Sequence, residues 1–302
     1  MEFVCPSCKN NLTTQRQGWL CTQESILFEI ENAIPSFILP SRKSAVEKFL
    51  LTYQETRRRE GWGNTDVEYY RALPYHDQSG NHKRLWRTRS RTFDCFIEHL
   101  QTRRANSHRR ILDIGAGDGW ISFQLAKRGF EMIALDINMD PLDGLGVLSR
   151  MQASDRANIT PVRAEFDYLP FPPSSVDIIV FNSSLHYSRD ILQTLRKSMA
   201  LLREHGVLYT LDSPIYRNAE SGKMMIQERR EKLQEQYSIT IGDEFAGNFL
   251  TFGLLDQIQP NYRIEYLTPH YGFTWKVRPL IAAALKRREP ATFKVIAISA
   301  NR

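Results

Sequence analysis

A run of alternating glycines is the feature of this sequence that most directly suggests chemistry. Gly115, Gly117 and Gly119 follow the apolar run 111–114 and precede a helical pattern over 120–128. Glycine lets the backbone turn sharply and approach a ligand closely, and it leaves amides at the helix N-terminus available for binding. The order strand, glycine turn, helix therefore predicts a ligand-binding loop.

A carboxylate ends the next predicted strand. The apolar segment 132–135 runs directly into Asp136. An acidic side chain at this distance beyond a glycine turn is placed to bind both hydroxyls of a ribose. The two motifs together favour a ligand that contains a nucleoside.

Two further segments continue the alternation of strands and loops. Residues 164–171, Ala-Glu-Phe-Asp-Tyr-Leu-Pro-Phe, precede a predicted strand over 176–181, which runs into Asn182-Ser183-Ser184-Leu185-His186-Tyr187. Taken together, the motifs closely resemble a class I S-adenosylmethionine-dependent methyltransferase, well from about 108 to 213 and more loosely to 302. The G-x-G-x-G spacing favours S-adenosylmethionine as cofactor over NAD.

The resemblance implies a role for each motif residue. Asp113 would orient the glycine loop and the amino group of the cofactor, and Asp136 would hold the ribose hydroxyls. The other implied cofactor contacts are Gly115 and Gly117 behind the methionine moiety, Ala116 between them, Ile137 beside the adenine, Glu165 and the Phe166 amide at the adenine edge, and Asn182 at the floor near the methionine.

Two side chains are candidates for proton transfer. His186 is the first, because imidazole titrates near neutrality and this residue follows a strand end on the ligand face. Tyr187 is the second. Alignment of the reacting groups and exclusion of water supply much of the catalysis of methyl transfer, so a base helps only a hydroxyl or acidic-carbon acceptor. The alternative is that neither residue has a catalytic duty.

The elements that must position these residues predict an α/β fold, a Rossmann-like seven-stranded methyltransferase sheet. The fifth to seventh strands are expected at 206–212, 264–267 and 291–299. Ligands of open α/β sheets bind outside the carboxyl ends of the strands, so insertions at about 214–260 and 269–290 are expected to form a lid. Aromatic residues there either wrap an apolar acceptor or pack the lid on the sheet.

Three of the four cysteines lie in the first 21 residues. Cys5 and Cys8 form a C-x2-C knuckle and Cys21 follows a hairpin-like stretch, with Glu24 where a second knuckle would end. This spacing is typical of a zinc ribbon. Residues 1–40 resemble the zinc-ribbon-like module that activates tRNA and protein methyltransferases and that precedes some ribosomal RNA guanine methyltransferase domains. Zinc is therefore a second candidate cofactor; the alternative is a ribbon that folds without metal.

Residues 41–107 are expected to form a helical, basic linker or cap between that module and a methyltransferase domain over 108–302. Trp86, Phe93, Ile97 and Leu100 recur at helical spacing, which predicts a helix packed on the next domain. The many arginines of segment 83–110 would then lie on the other face. They form either a solvated surface or a site for an anionic partner.

The composition bounds the class of protein. The chain has 302 residues with 42% hydrophobic and 25% charged residues, values that exclude a collagenous or largely disordered chain. No apolar run reaches the roughly 20 residues of a membrane span. The first residues lack the pattern of a secretory signal, so a cytoplasmic location is expected. The net charge of +6 mildly favours anionic partners.

Three functions follow as hypotheses. The first is S-adenosylmethionine-dependent O-, C- or N-methylation of a small molecule or biosynthetic intermediate, favoured by the Asn-Ser-Ser-Leu-His ending of the fourth strand. The second is methylation of ribosomal or transfer RNA, favoured by the ribbon and the arginines. The third is a non-catalytic scaffold that binds S-adenosylmethionine. The basic and apolar segment 271–288 additionally suggests peripheral contact with a membrane or lipid.

Overall fold

The N-terminal part of the chain folds as a small antiparallel sheet. The computed structural model describes residues 2–103, 109–242, 248–285 and 287–301. The expected lid over 214–260 and the segments 83–110 and 271–288 therefore include positions outside the described residues. The N-terminal sheet has the order β1-β2-β3-β4, and its strands are β1 (Thr13–Gln15), β2 (Gly18–Cys21), β3 (Ile26–Glu31) and β4 (Ile34–Pro35).

Three helices connect this sheet to the central one. They are α1 (Lys43–Arg59), α2 (Val67–Ala72) and α3 (Lys83–Thr102). Buried aromatic and aliphatic side chains recur on one face of α3, as a helical period requires: Trp86, Phe93, Phe96 and Leu100. The basic side chains Lys83, Arg84 and Arg87 of the same helix are exposed.

In the part of the chain that the structure describes, seven strands form the central sheet and six α-helices follow its first strand. The strands are β5 (Arg110–Ile114), β6 (Glu131–Asp136), β7 (Ile159–Arg163), β8 (Val176–Asn182), β9 (Leu202–Leu211), β12 (Tyr262–Leu267) and β13 (Val295–Ala300), with a separate parallel pair of β10 (Ile215–Tyr216) and β11 (Leu250–Thr251). The helices are α4 (Trp120–Ala126), α5 (Gly146–Arg150), α6 (Ile191–Met199), α7 (Ala219–Tyr237), α8 (Phe252–Asp256) and α9 (Phe273–Ala284).

The order of the central sheet is β12-β13-β9-β8-β5-β6-β7. The strands from β9 to β7 run parallel, and β13 is antiparallel to both of its neighbours. The predicted seven-stranded Rossmann-like sheet is confirmed. The order reverses between β5 and β8, so the carboxyl ends of these two strands flank the crevice where such sheets bind ligands.

Alternating side chains bury the central strands on both faces. Ile111 of β5 faces a core that includes α3 and α4, whereas the next residue, Leu112, faces a second core that includes α6 and the N-terminal sheet. Parallel strands that are covered on both faces have continuous apolar sequences. This burial fixes the register of β5 and β6, and with it the direction of the loops that leave them.

The N-terminal sheet covers the open edge of the central sheet. Ser36 forms a parallel bridge with Arg163 at the end of β7, and the Phe37 amide donates to the Arg163 carbonyl at 2.8 Å. Phe3 packs on Phe171 with ring centroids 5.9 Å apart. An exposed edge strand is a site of unwanted pairing, so this contact protects β7. Among the described residues, no helix is both long and apolar enough to cross a bilayer.

Candidate active site

Strand β6 holds the glycine loop through its last two residues. The amides of Gly115 and Ala116 donate to the Leu135 carbonyl at 2.8 and 3.0 Å. The Gly117 amide donates to Oδ2 of Asp136 at 2.8 Å. One carboxylate therefore fixes the loop and still presents oxygen lone pairs toward the space above it.

Two of the glycines are required for different reasons. Gly115 has φ +75°, and a Cβ built on it would lie 2.4 Å from Cβ of Ser184, so the contact between the loop and the end of β8 excludes a side chain. Gly117 has φ +56°, and a Cβ there would meet nothing within 4 Å. A side chain at position 117 would instead project into open space. This open cradle over a backbone loop fits a bound cofactor.

Burial raises the pKa of both predicted acidic residues, which differ in the groups that oppose this shift. Asp113 is fully buried below the loop, where Oδ2 accepts a hydrogen bond from Ser122 at 2.7 Å. Its Oδ1 has no partner among the described residues, and burial raises the pKa of Asp113 to about 7. Burial also raises the pKa of Asp136, but the amides of Asn138 and Gly117 oppose it by stabilising the charged carboxylate. Asp136 is the carboxylate that faces the ligand space.

One cavity of about 710 Å³ contains most of the predicted cofactor residues. Its volume falls in the range of about 300–1,000 Å³ that is usual for small-molecule sites. The predicted residues that line it are Gly115, Gly117, Asp136, Ile137, Glu165 and Phe166. Three others lie around it: Asp113 below the loop, Ala116 in the core, and Asn182, whose buried Oδ1 has no partner among the described residues.

Glu165 has a partner that the sequence did not indicate. Arg42 donates from Nη2 to Oε1 at 2.8 Å and from Nε to Oε2 at 3.2 Å. Arg42 ends the turn that leads into α1, so this ion pair connects the cap helix to the wall of the cavity. The implied role of Glu165 at the adenine edge stays a prediction, and any ligand there meets the carboxylate together with its guanidinium.

His186 and Tyr187 lie in a 3-10 turn just beyond β8. His186 is half-buried, and its Nδ1 has no partner among the described residues. Burial and the charges of Arg229 and Arg89 lower the pKa of His186 to about 3. The imidazole is therefore neutral near pH 7 but only weakly basic. Tyr187 lines the cavity. The catalytic roles of both residues stay predictions.

Two residues of α1 that the sequence analysis did not single out lie in or beside this cavity. Tyr53 of α1 lines the cavity and packs edge-on to Tyr187, with ring centroids 6.0 Å apart. Arg57 of α1 donates to Asp143 at 2.5 and 2.7 Å. The run of arginines at 57–59 did not reveal which one points inward. The aromatic residue Tyr53, one helical turn before Arg57, was the available signal.

The three N-terminal cysteines converge. The sulfurs of Cys5, Cys8 and Cys21 all lie within 4.8 Å of one another, and the closest pair, Cys8 and Cys21, is 3.6 Å apart. Oε2 of Glu24 lies 3.8 Å from Cys5 Sγ, while its Oε1 accepts from Ser7 at 2.8 Å. Zinc–sulfur bonds of about 2.3 Å place tetrahedral sulfur ligands a little under 4 Å apart. The three thiolates therefore fit a zinc ion, whereas the Glu24 carboxylate lies outside the group of mutually close ligand atoms.

Comparison with known proteins agrees with this geometry. Residues 112–210 match a family described as a methyltransferase domain. The ubiquinone biosynthesis O-methyltransferase of Aeromonas salmonicida is 30% identical over 118 residues, 39% of this chain and 48% of that protein. The malonyl-[acyl-carrier protein] O-methyltransferase of Enterobacter lignolyticus is 29% identical over 138 residues, 46% of this chain and 49% of that protein.

The chain spans about half the length of these curated relatives. Among solved structures, the YcgJ protein of Bacillus subtilis superimposes with a TM-score of 0.45 and 16% identity, covering 68% of this chain and 96% of that one. The matched segment 112–210 contains the glycine loop, Asp136 and the end of β8. Residues 112–210 thus resemble a methyltransferase domain, as the motifs predicted.

Proposed function

We propose that this protein transfers a methyl group from S-adenosylmethionine to a small molecule or biosynthetic intermediate, at oxygen, carbon or nitrogen. One observation carries the proposal: a single cavity extends from Gly117 in the glycine loop to Tyr187 and is also lined by Phe49 and Tyr53 of α1. Cofactor and acceptor would share this cavity. A cavity of this size suits a small acceptor rather than a long polymer.

The residues of the chain would bind, orient and exclude water. Asp136 would accept hydrogen bonds from a ribose, and the open backbone at Gly117 would admit the methionine portion. S-adenosylmethionine supplies an electrophilic methyl group when bound. The aromatic side chains of Tyr53 and Tyr187 would keep water from the acceptor, which is the contribution that methyl transfer most needs from a protein.

The names of relatives support a small acceptor. The curated relatives with matching segments include a ubiquinone biosynthesis O-methyltransferase and a malonyl-[acyl-carrier protein] O-methyltransferase. RNA methylation is the second candidate function. The observation that favours it is the exposure of Lys83, Arg84 and Arg87 on α3, since clustered basic side chains bind phosphate backbones.

Transfer of labelled methyl groups separates these functions. Wild-type protein would be incubated with methyl-labelled S-adenosylmethionine and a cell lysate, and small molecules, lipids, protein and RNA would be separated. We expect RNase-resistant label in the small-molecule or lipid pool, and none with Asp136→Ala. Label that RNase releases would favour RNA methylation. Binding of S-adenosylmethionine without label in any pool would favour a scaffold.

We further propose that Cys5, Cys8 and Cys21 bind one zinc ion. Metal analysis of protein purified without chelator is expected to give about one zinc per chain, and Cys8→Ser is expected to lose it because thiolates dominate structural zinc sites. Cys95→Ser, which changes a half-buried cysteine of α3 outside this cluster, is the matched control. Substoichiometric zinc in the wild type would favour a ribbon that folds without metal.

We also propose that segment 271–288 contacts an anionic lipid surface. All residues of α9 are described, and none is buried; Phe273 is 77% and Leu280 72% exposed. Lys276 is exposed on the same helix. An exposed apolar face beside cations is typical of interfacial helices. Phe273→Ser should reduce co-sedimentation with phosphatidylglycerol-containing vesicles, whereas Leu51→Ser, 73% exposed on α1, should not. Equal sedimentation of both variants would overturn this proposal.

A further inference from the structure

One cation beside the proposed acceptor space forms no ion pair with any residue that the structure describes. Arg89 of α3 extends toward the carboxyl end of β8, where its Nη2 donates to Ser183 Oγ at 3.3 Å. Ser183 lines the cavity. Nε of Arg89 is shielded from solvent and has no hydrogen-bond partner among the described residues. The guanidinium therefore lies directly behind Ser183, beside the cavity rather than in its lining, and most of its donors have no partner among the described residues.

Aromatic rings hold this guanidinium in place. Its Cζ lies 4.8 Å from the ring centroid of Trp86 and 5.6 Å from that of Trp62. Cation–π contacts of this kind stabilise the charge without consuming N–H donors. The packing orients Arg89 and leaves its hydrogen-bonding capacity available.

A second arginine on the same indole provides an internal comparison. Arg57 stacks on Trp62 with Cζ 3.8 Å from the ring centroid. Unlike Arg89, it also forms a two-point ion pair with Asp143, at 2.5 and 2.7 Å. The two-point geometry is the one that guanidinium groups adopt with carboxylates and phosphates. Among the described residues, Arg57 has such an anion and Arg89 does not.

The nearest carboxylates have other partners. Oδ1 of Asp212, at the end of β9, accepts from Thr92 Oγ1 at 2.8 Å, and Oδ1 of Asp118 accepts from the Trp120 amide at 3.1 Å. Both attract the charge of Arg89, yet burial still lowers its pKa. Within the described part of the chain, no carboxylate oxygen lies within 4.0 Å of a guanidinium nitrogen of Arg89. A shielded cation without a paired anion is unfavourable unless a ligand supplies one.

We propose that the acceptor carries an oxyanion, a carboxylate or a phosphate group, close to the atom that is methylated, and that Arg89 binds this oxyanion across the cavity wall at Ser183. The inference rests on the proposed methyl transfer, because it places the acceptor beside the end of β8. Arg89 would act as a specificity determinant: it selects acceptors with an oxyanion and orients them.

The test uses full-length protein saturated with S-adenosylmethionine and two probes, acetate and inorganic phosphate, at constant ionic strength. Thermal unfolding would be followed for the wild type, Arg89→Met, Arg89→Lys and Arg87→Met, the last an exposed arginine of the same helix. We expect at least one probe to raise the Tm of the wild type and of Arg87→Met. Arg89→Met should weaken the binding of that probe by about tenfold or more. Arg89→Lys should weaken it by less. An effect of acetate would indicate an acceptor with a carboxylate, and an effect of inorganic phosphate would indicate an acceptor with a phosphate group.

The following measurements separate failure of the anion role of Arg89 from failure of the proposed methyl transfer. Without probe, Arg89→Met should melt no lower than the wild type, because an unpaired shielded charge is replaced by an apolar side chain of similar length. A lower Tm for Arg89→Met, or an equal probe effect in all four proteins, overturns the anion role. Calorimetric titration with S-adenosylmethionine should give the same affinity for wild type and Arg89→Met. Absence of binding to the wild type would instead refute the proposed methyl transfer.

Discussion

The proposed cofactor side and the proposed acceptor side of the site differ in the chemistry of their unpaired polar atoms. On the cofactor side, Asp136 accepts from two backbone amides and Glu165 is bound by Arg42, while Asp113 Oδ1 and Asn182 Oδ1 have no partners among the described residues. On the acceptor side, the atoms without described partners are nitrogens, Arg89 Nε and His186 Nδ1. The first side thus offers oxygen acceptors to a ligand, and the second offers a nitrogen donor in Arg89.

The strongest test of the cofactor side is removal of the Asp136 carboxylate. Asp136→Ala deletes the proposed ribose contacts and the anchor of the Gly117 amide, so the affinity for S-adenosylmethionine should fall on the order of 100-fold. Equilibrium dialysis measures this loss. Asp177→Ala, which removes a carboxylate at the opposite end of β8, should keep wild-type affinity. Unchanged binding by Asp136→Ala would remove this residue from the site.

A smaller change fills the cradle without removing a charge. Gly117→Ala projects a methyl group into space where no atom lies within 4 Å, and we expect the affinity for S-adenosylmethionine to fall roughly tenfold as the cofactor is displaced. Gly80→Ala controls for backbone strain, because Gly80 also has positive φ but lies at the surface. Equal affinities of the two variants would show that the Gly117 loop does not face the cofactor.

On the acceptor side, Thr92 joins two buried polar groups. Its hydroxyl bonds to Asp212 and to Tyr271, both at 2.8 Å. Thr92→Val keeps the shape but leaves both partners unsatisfied, so the free energy of unfolding should fall by about 1–3 kcal/mol. Thr88→Val, one turn earlier and only half-buried, should change it by less than about 0.5 kcal/mol. Urea denaturation compares the two, and similar losses would contradict the pairing.

The weakest expected effect is the pH dependence of His186. Its folded pKa of about 3 lies below the unfolded value of about 6.5. Below the unfolded pKa, the unfolded chain binds a proton that the folded chain does not, so this residue lowers stability as pH falls from 7 toward 4. His186→Gln should reduce that acid loss by roughly 1 kcal/mol at pH 5.

Denaturant midpoints of the wild type and His186→Gln at pH 7 and pH 5 measure the difference. His205→Gln, an exposed histidine, should leave the acid loss unchanged. An acid limb near pH 6 in the methyl-transfer rate that disappears in His186→Gln would contradict the lowered pKa and restore the general-base role.

The sequence predicted several residues of the cavity lining because their motifs are local. Gly117 and Asp136 follow predicted strands, Glu165 precedes one, and all three line one cavity. The partner of Glu165 escaped prediction because Arg42 lies 123 residues away in the chain. The spacing of an ion pair between distant segments leaves no periodic signal in the sequence.

The acceptor side escaped prediction for a different reason. Helical spacing indicated that Trp86 and Phe93 pack inward, and it assigned the arginines of α3 to the outer face. Arg89, three residues after Trp86, instead lies over the Trp86 ring. An arginine stem packs against apolar surface while its charged end reaches a polar site, so hydrophobic periodicity alone does not distinguish a solvent-facing arginine from one beside a cavity.

The most direct test of the central claim is calorimetric titration of S-adenosylmethionine into the wild-type protein. Because backbone amides of the chain itself already hold the Asp136 carboxylate, S-adenosylmethionine should bind at one site per chain in the absence of any acceptor. Absence of saturable binding, with the protein shown to be folded, would contradict the assignment of this cavity and the methyl transfer built on it.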